Sequence, residues 1–73
     1  MQLVHETRPV IPRDRLVRIE EVKGMTGLGK SSIYELMRAG EFPKSIRLHA
    51  RMVAWSESSV LSWIQARISE AQQ

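Results

Sequence analysis

The stretch "TGLGKSSIYELMRAGEFP", residues 26–43, confines one helix between two sets of stops. Ile33, Leu36 and Met37 recur at i, i+3, i+4 spacing and share one helical face. Gly40 stands where a left-handed residue closes a helix. Pro43 forbids continuation, because it has no N–H to donate and its ring clashes with the preceding turn. The spacing predicts a helix over residues 30–39. Its start is open: Gly29 or Ser31 can cap it, and Ser32 with Glu35 also fits a capping box. Upstream, Ile19, Val22 and Met25 at three-residue spacing predict a shorter helix ending near Gly27. Two short helices around a glycine-containing turn have the layout of a helix-turn-helix.

The flanks add strands and a third helix. "RLVRI", residues 15–19, alternates charged and aliphatic residues and predicts a short strand. After Pro43, "SIRL" (residues 45–48) and "MVAW" (residues 52–55) are β-favouring runs around "HAR", which reads as a hairpin with a basic tip. Ser56 can cap a final helix whose apolar stripe is Val60, Leu61, Trp63, Ile64 and Ile68. Trp55 and Trp63 are expected to anchor hairpin and last helix in the core, with Phe42 fixing the turn from helix to hairpin. The expected fold is mainly α with a small β-hairpin wing, a winged helix-turn-helix over residues 13–73. Residues 1–12, with Pro9 and Pro12 and no periodicity, read as a mobile extended arm.

One motif pulls the other way. "GMTGLGKS", residues 24–31, matches G-x-x-x-x-G-K-[ST], the phosphate-cradling loop of nucleotide hydrolases. Such a loop works because a buried parallel strand delivers the chain to it, and that strand reads as a continuous apolar run. Here the lead-in is "RIEEVK", a charged helical pattern. A second carboxylate is needed to help hold magnesium, yet the only aspartate is Asp14, upstream and beside Arg13 and Arg15. A nucleotide partner is therefore not expected.

At 73 residues the chain holds one domain at most. There is no cysteine, so no disulfide framework and no thiolate metal site, and His5 and His49 are too few and too isolated to suggest zinc. No nucleophile–base pair or cofactor motif stands out, which argues against catalysis. No apolar run approaches a membrane span, and the N-terminus lacks the layout of a signal peptide, so a cytoplasmic protein is expected. The net charge is +3, but it is concentrated. Lys23, Lys30, Arg38, Lys44, Arg47 and Arg51 face only Glu35 and Glu41 between residues 23 and 55, leaving +4 in the middle of the chain. A local positive field of this kind suits a polyanion.

In the residues of "TGLGKSSIYELMRAGEFPKSIRL" and "RMVAWSESSVLSWI", with the lead-in "RLVRIEEV", the chain resembles the AlpA-type prophage regulators, which share a MerR- and excisionase-like winged helix-turn-helix. The combination of Ile33-Tyr34, residues 40–43, Trp55 and Trp63-Ile64 carries the likeness. It departs at Gly29, where the family usually has serine, at His49 and Ala50 on the wing tip, where a glycine and a small residue or proline are usual, and at Glu35, where a basic residue is common. The resemblance implies a sequence-specific DNA-binding transcriptional regulator associated with the nucleoid, acting on prophage or island genes, with double-stranded DNA as partner and a homodimer or cooperative array as its bound form. Two alternatives stand beside it. One is an excisionase-like recombination factor; the other is a protein-interaction module without DNA binding.

On that reading the second helix enters the major groove through its N-terminal part. Ser31 and Ser32 allow close approach or merely cap the helix. Lys30 meets a phosphate, and Arg38 reads guanine or a phosphate. Tyr34 packs beneath the wing with its hydroxyl free for a phosphate. Glu35 accepts from cytosine or pairs with a neighbouring cation. Lys44, Arg47, His49 and Arg51 belong to the wing, with Arg51 best placed for a narrow minor groove.

Overall fold

A computed structural model describes residues 13–72, so the predicted arm over residues 1–12 lies outside the described residues. Two glycines with left-handed backbone set the helical punctuation. Helix α1 (Ile19–Thr26) is closed by Gly27 at φ 77°, whose N–H donates to the Lys23 carbonyl at 2.8 Å. After the three-residue turn, α2 (Lys30–Arg38) ends at Ala39, followed by Gly40 at φ 75°. The Glu41 N–H donates to Leu36 and the Gly40 N–H to Met37, a paired closure that satisfies the last carbonyls. Both helices thus match the expected spans to within a residue. The start of α2 is resolved in favour of Gly29, the extended residue whose carbonyl accepts from the Ile33 N–H at 3.1 Å. No side chain caps that end, so neither Ser31 nor a Ser32–Glu35 box does so.

Three strands form one antiparallel sheet in the order β1-β3-β2: β1 (Leu16–Val17), β2 (Ile46–His49) and β3 (Met52–Ser56). The first strand is shorter than expected, because Arg18 already serves as the N-cap of α1 and Ile19 is helical. The hairpin is shifted by one residue at its tip: His49 belongs to β2, and Ala50 and Arg51 make the turn, with Ala50 at φ 45°. Ile46 faces Ala54 and Arg47 faces Val53, but His49 then faces Met52. Leu48 is therefore the extra residue of a β-bulge, which twists the hairpin towards its tip.

Every element except β2 sends at least one side chain to the centre. Val17, Val22, Ile33, Trp55 and Val60 are almost completely buried, with Phe42 sealing the loop between α2 and β2. Helix α3 (Glu57–Ala71) starts at Ser56, whose Oγ accepts from the Ser59 N–H at 3.2 Å, as expected. Its apolar stripe is narrower than expected. Val60, Trp63 and Ile64 pack inward, whereas Leu61 and Ile68 are 46% and 45% exposed. Those two lie about 80–100° round the helix from Val60, on the side away from Trp63, where no other element covers them.

Both indoles hold the α2–β2 loop. Trp55 Nε1 donates to the Pro43 carbonyl at 3.1 Å, and Trp63 Nε1 donates to the Glu41 carbonyl at 2.7 Å. The Phe42 ring meets Trp63 edge-on at 4.9 Å between centroids. The expected anchoring roles of all three aromatics are thus realised, although Trp63 is only half-buried and carries the Arg67 guanidinium over its face. The "GMTGLGKS" string runs from within α1, through the turn, into α2. The first residue of the string is helical, so no strand delivers this turn and the architecture is not that of a phosphate loop.

Candidate nucleic-acid interface

Burial of Ile33 fixes which way α2 faces. With Ile33 inward and Leu36 and Met37 beside it, Ser31, Glu35 and Arg38 fall at i, i+4 and i+7 on the opposite side. All three are exposed, as are Lys30 and Ser32 in the first turn. Since no side chain caps this end, the first-turn N–H groups remain open to an anion. Tyr34 is half-buried, its ring edge-on to Trp55 at 6.0 Å. It is therefore first a packing residue, and it ties α2 to the hairpin through the central indole.

The hairpin carries the second group. Lys44 follows Pro43, Arg47 and His49 lie on β2, and Arg51 is in the turn, all of them exposed. Between Phe42 and Ser56 there is no acidic residue at all. Interleaved with these cations are Ile46, Leu48 and Met52, exposed by 43%, 42% and 41%. Sequence reasoning did not single these out, because a β-favouring run of aliphatics reads as sheet core unless the strand is known to be an edge whose outer face is bare.

Ion pairs accumulate on other elements. Arg15, just before β1, donates to Glu21 and, at 2.9 Å, to Glu57, tying the chain entering β1 to the starts of α1 and α3. These hydrogen bonds, Glu57 first, hold its guanidinium above its ordinary range. Lys23 pairs with Glu20 and Arg67 with Glu70. Asp14 accepts from Ser56 Oγ at 2.6 Å, from the Ser58 N–H at 3.0 Å and from Ser58 Oγ at 2.9 Å. Those hydrogen bonds keep its carboxyl well below the usual carboxylate range. Asp14 is a cap for α3 supplied from 44 residues away, invisible to any local capping motif. Among the described residues, none of Lys30, Arg38, Lys44, Arg47 or Arg51 is ion-paired. The positive charge of α2 and the wing is therefore uncompensated by close side-chain contacts among those residues.

Among the described residues there is no cluster of three or more His, Asp or Glu side chains suited to a metal, and no helix is long and apolar enough to cross a membrane.

The chain shares 44% identity over 61 residues with the uncharacterized protein ORF88 of Enterobacteria phage P4, an alignment covering 84% of this chain and 69% of that protein. Residues 15–68 match the family described as prophage CP4-57 regulatory protein (AlpA). That span takes in the whole sheet, both helices of the helix-turn-helix and α3 as far as Ile68. With its three helices and three-stranded winged sheet, the chain belongs to the AlpA family of prophage regulatory proteins.

Proposed function

We infer that this protein is a sequence-specific, double-stranded DNA-binding regulator that places α2 in the major groove and its hairpin wing on the minor groove or backbone. The observation that carries the reading is the division of charge. Arg15, Lys23 and Arg67 are paired with carboxylates of α1 and α3, while the exposed cations of α2 and the wing have no ionic partner among the described residues. Such a surface gains from releasing the counterions condensed on DNA. Lys30, Arg47 and Lys44 act as phosphate contacts. Ser31, Ser32, Glu35 and Arg38 face base edges. Tyr34 offers its hydroxyl to a phosphate, and His49 and Arg51 lie at the wing tip. The protein acts in the cytoplasm on the nucleoid, without catalysis, nucleotide or metal.

The test is a footprint on the DNA flanking the protein's own gene, repeated across a salt series. A protected site whose affinity falls steeply with salt supports the reading. Salt-independent association with a protein partner, and no protected site, refutes it. The bare Leu61 and Ile68 on α3 favour contact between copies side by side on DNA. A promoter reporter and an excision assay on one clone separate regulation of transcription from an excisionase-like role, which the fold alone leaves equivalent.

A further inference from the structure

The wing is cationic and aliphatic at once. Along the hairpin, Arg47, His49 and Arg51 alternate in the chain with Ile46, Leu48 and Met52, and all six are exposed. An apolar protein surface seated here would strip water from Arg47 and Arg51 without giving them an anion, at high cost. A plain phosphate surface would leave the three aliphatics in water. The surface that satisfies both is the minor groove, with phosphates along its walls and, between base steps that can be opened from this side, the apolar faces of the stacked bases. The shape of the tip agrees. Ala50 at the apex carries only a methyl group, so the turn can approach closely. Leu48, as the bulge residue, has no cross-strand partner to hold its side chain against the sheet.

We propose that Leu48, supported by Met52, is an apolar wedge that enters a base step of the minor groove and bends the duplex. This rests on the DNA-binding reading given above. Arg47 holds a phosphate beside the step and Arg51 lies in the adjoining narrow stretch of the groove, while the leucine partly unstacks one step. Pyrimidine–purine steps are favoured, because they unstack most easily. The wing then contributes to site choice without any hydrogen bond to a base.

The test uses the full chain and a duplex of about 30 base pairs that the wild-type protein itself recovers from a randomised library. The duplex is labelled at both ends for energy transfer and carries 2-aminopurine at successive steps. Wild-type protein should bring the ends together and raise the fluorescence at one step. Leu48→Ala should abolish that rise, cut the bend by more than half and weaken binding about tenfold. It removes no charge, so the salt slope should be unchanged. Leu48→Met keeps an apolar wedge and should retain the bend, whereas Arg51→Ala should flatten the salt slope. Leu48 is exposed, and a melting curve that matches wild type shows that the alanine variant is folded. The wedge is overturned if Leu48→Ala still binds with the same bend and fluorescence, or if wild type unstacks no step. It is equally overturned if the substitution weakens attachment to vesicles of anionic phosphatidylglycerol and leaves the duplex complex untouched. Failure of the wild type to select any duplex removes the DNA-binding reading itself, and the wedge with it.

Discussion

Gly24 and Gly27 stand three residues apart in one glycine-rich string, yet alanine should move them in opposite directions. Gly24 is exposed, lies inside α1, and a Cβ built on it meets nothing within 4 Å. Alanine there removes the entropy cost of a helical glycine and should stabilise the protein by about 0.5–1 kcal/mol. Gly27 has equal space around its Cβ, but its φ of 77° is a conformation that side chains resist. Strain of about 1–2 kcal/mol, less the roughly 0.4–1 kcal/mol gained by restricting the unfolded chain, leaves a net loss of about 1 kcal/mol. The two variants should therefore differ by about 2 kcal/mol, which in a domain of this size separates their melting temperatures by roughly 8–16 °C. Thermal melts followed by circular dichroism read this directly. In a phosphate-binding loop, by contrast, the leading glycine would be the sensitive one, and its replacement would impair nucleotide binding. Two variants that both lose stability would refute the helical placement of Gly24. Saturable Mg-ATP binding that Gly24→Ala removes would refute the reading of the string as a helix-turn-helix.

Three further outcomes are expected. The slope of log K against log salt for duplex DNA should be about −4 per protomer, and Lys44→Ala should flatten it by about one unit with little change in sequence preference; an unchanged slope would make Lys44 a merely solvated residue. Arg51→Ala should weaken duplex binding by about 1–3 kcal/mol without lowering the melting temperature, and wild type should lose this advantage when flanking A·T pairs are replaced by G·C. The Asp14 carboxyl is lowered when folded, so the unfolded chain binds its proton first as pH falls. Stability from this cap is complete above about pH 4 and declines below it. Asp14→Asn should flatten the acid limb of a stability–pH profile, and an identical limb in the two proteins would place the acid sensitivity elsewhere.

What the sequence disclosed and what it hid follow from the range of the forces involved. The ends of α1 and α2 were legible because Gly27 and Gly40 are local punctuation, and the buried face of α2 because Ile33, Leu36 and Met37 repeat within two turns. The pairing of β1 was not, since two residues carry no period and the register of Val17 against Trp55 spans 38 positions. The same distance hid Asp14, whose partners Ser56 and Ser58 lie at the other end of the domain. Leu61 and Ile68 were misplaced for another reason. Their spacing marks a helical flank, but only the tertiary arrangement decides how wide a strip of that flank is covered. For the candidate interface, the exposed cations could be read from charge and pattern. The bare aliphatics of the wing could not, because a bulge at Leu48 leaves no trace in composition.

The grip of the two indoles on the α2–β2 loop makes the protein a gauge of length. Trp55 holds the Pro43 carbonyl from the sheet side and Trp63 holds the Glu41 carbonyl from α3, so the loop that separates α2 from the wing is clamped at both of its turns. A reader with a hinge at that point would tolerate variable spacing between what its helix touches and what its wing touches. This one has no such slack. One base pair inserted between the two contacted segments shifts them by about 3.4 Å along the axis and rotates them by about a tenth of a turn, more than hydrogen-bonded loop carbonyls can follow. On the DNA-binding reading proposed above, the distance between the two half-contacts would be part of what the protein recognises, as much as the bases within each.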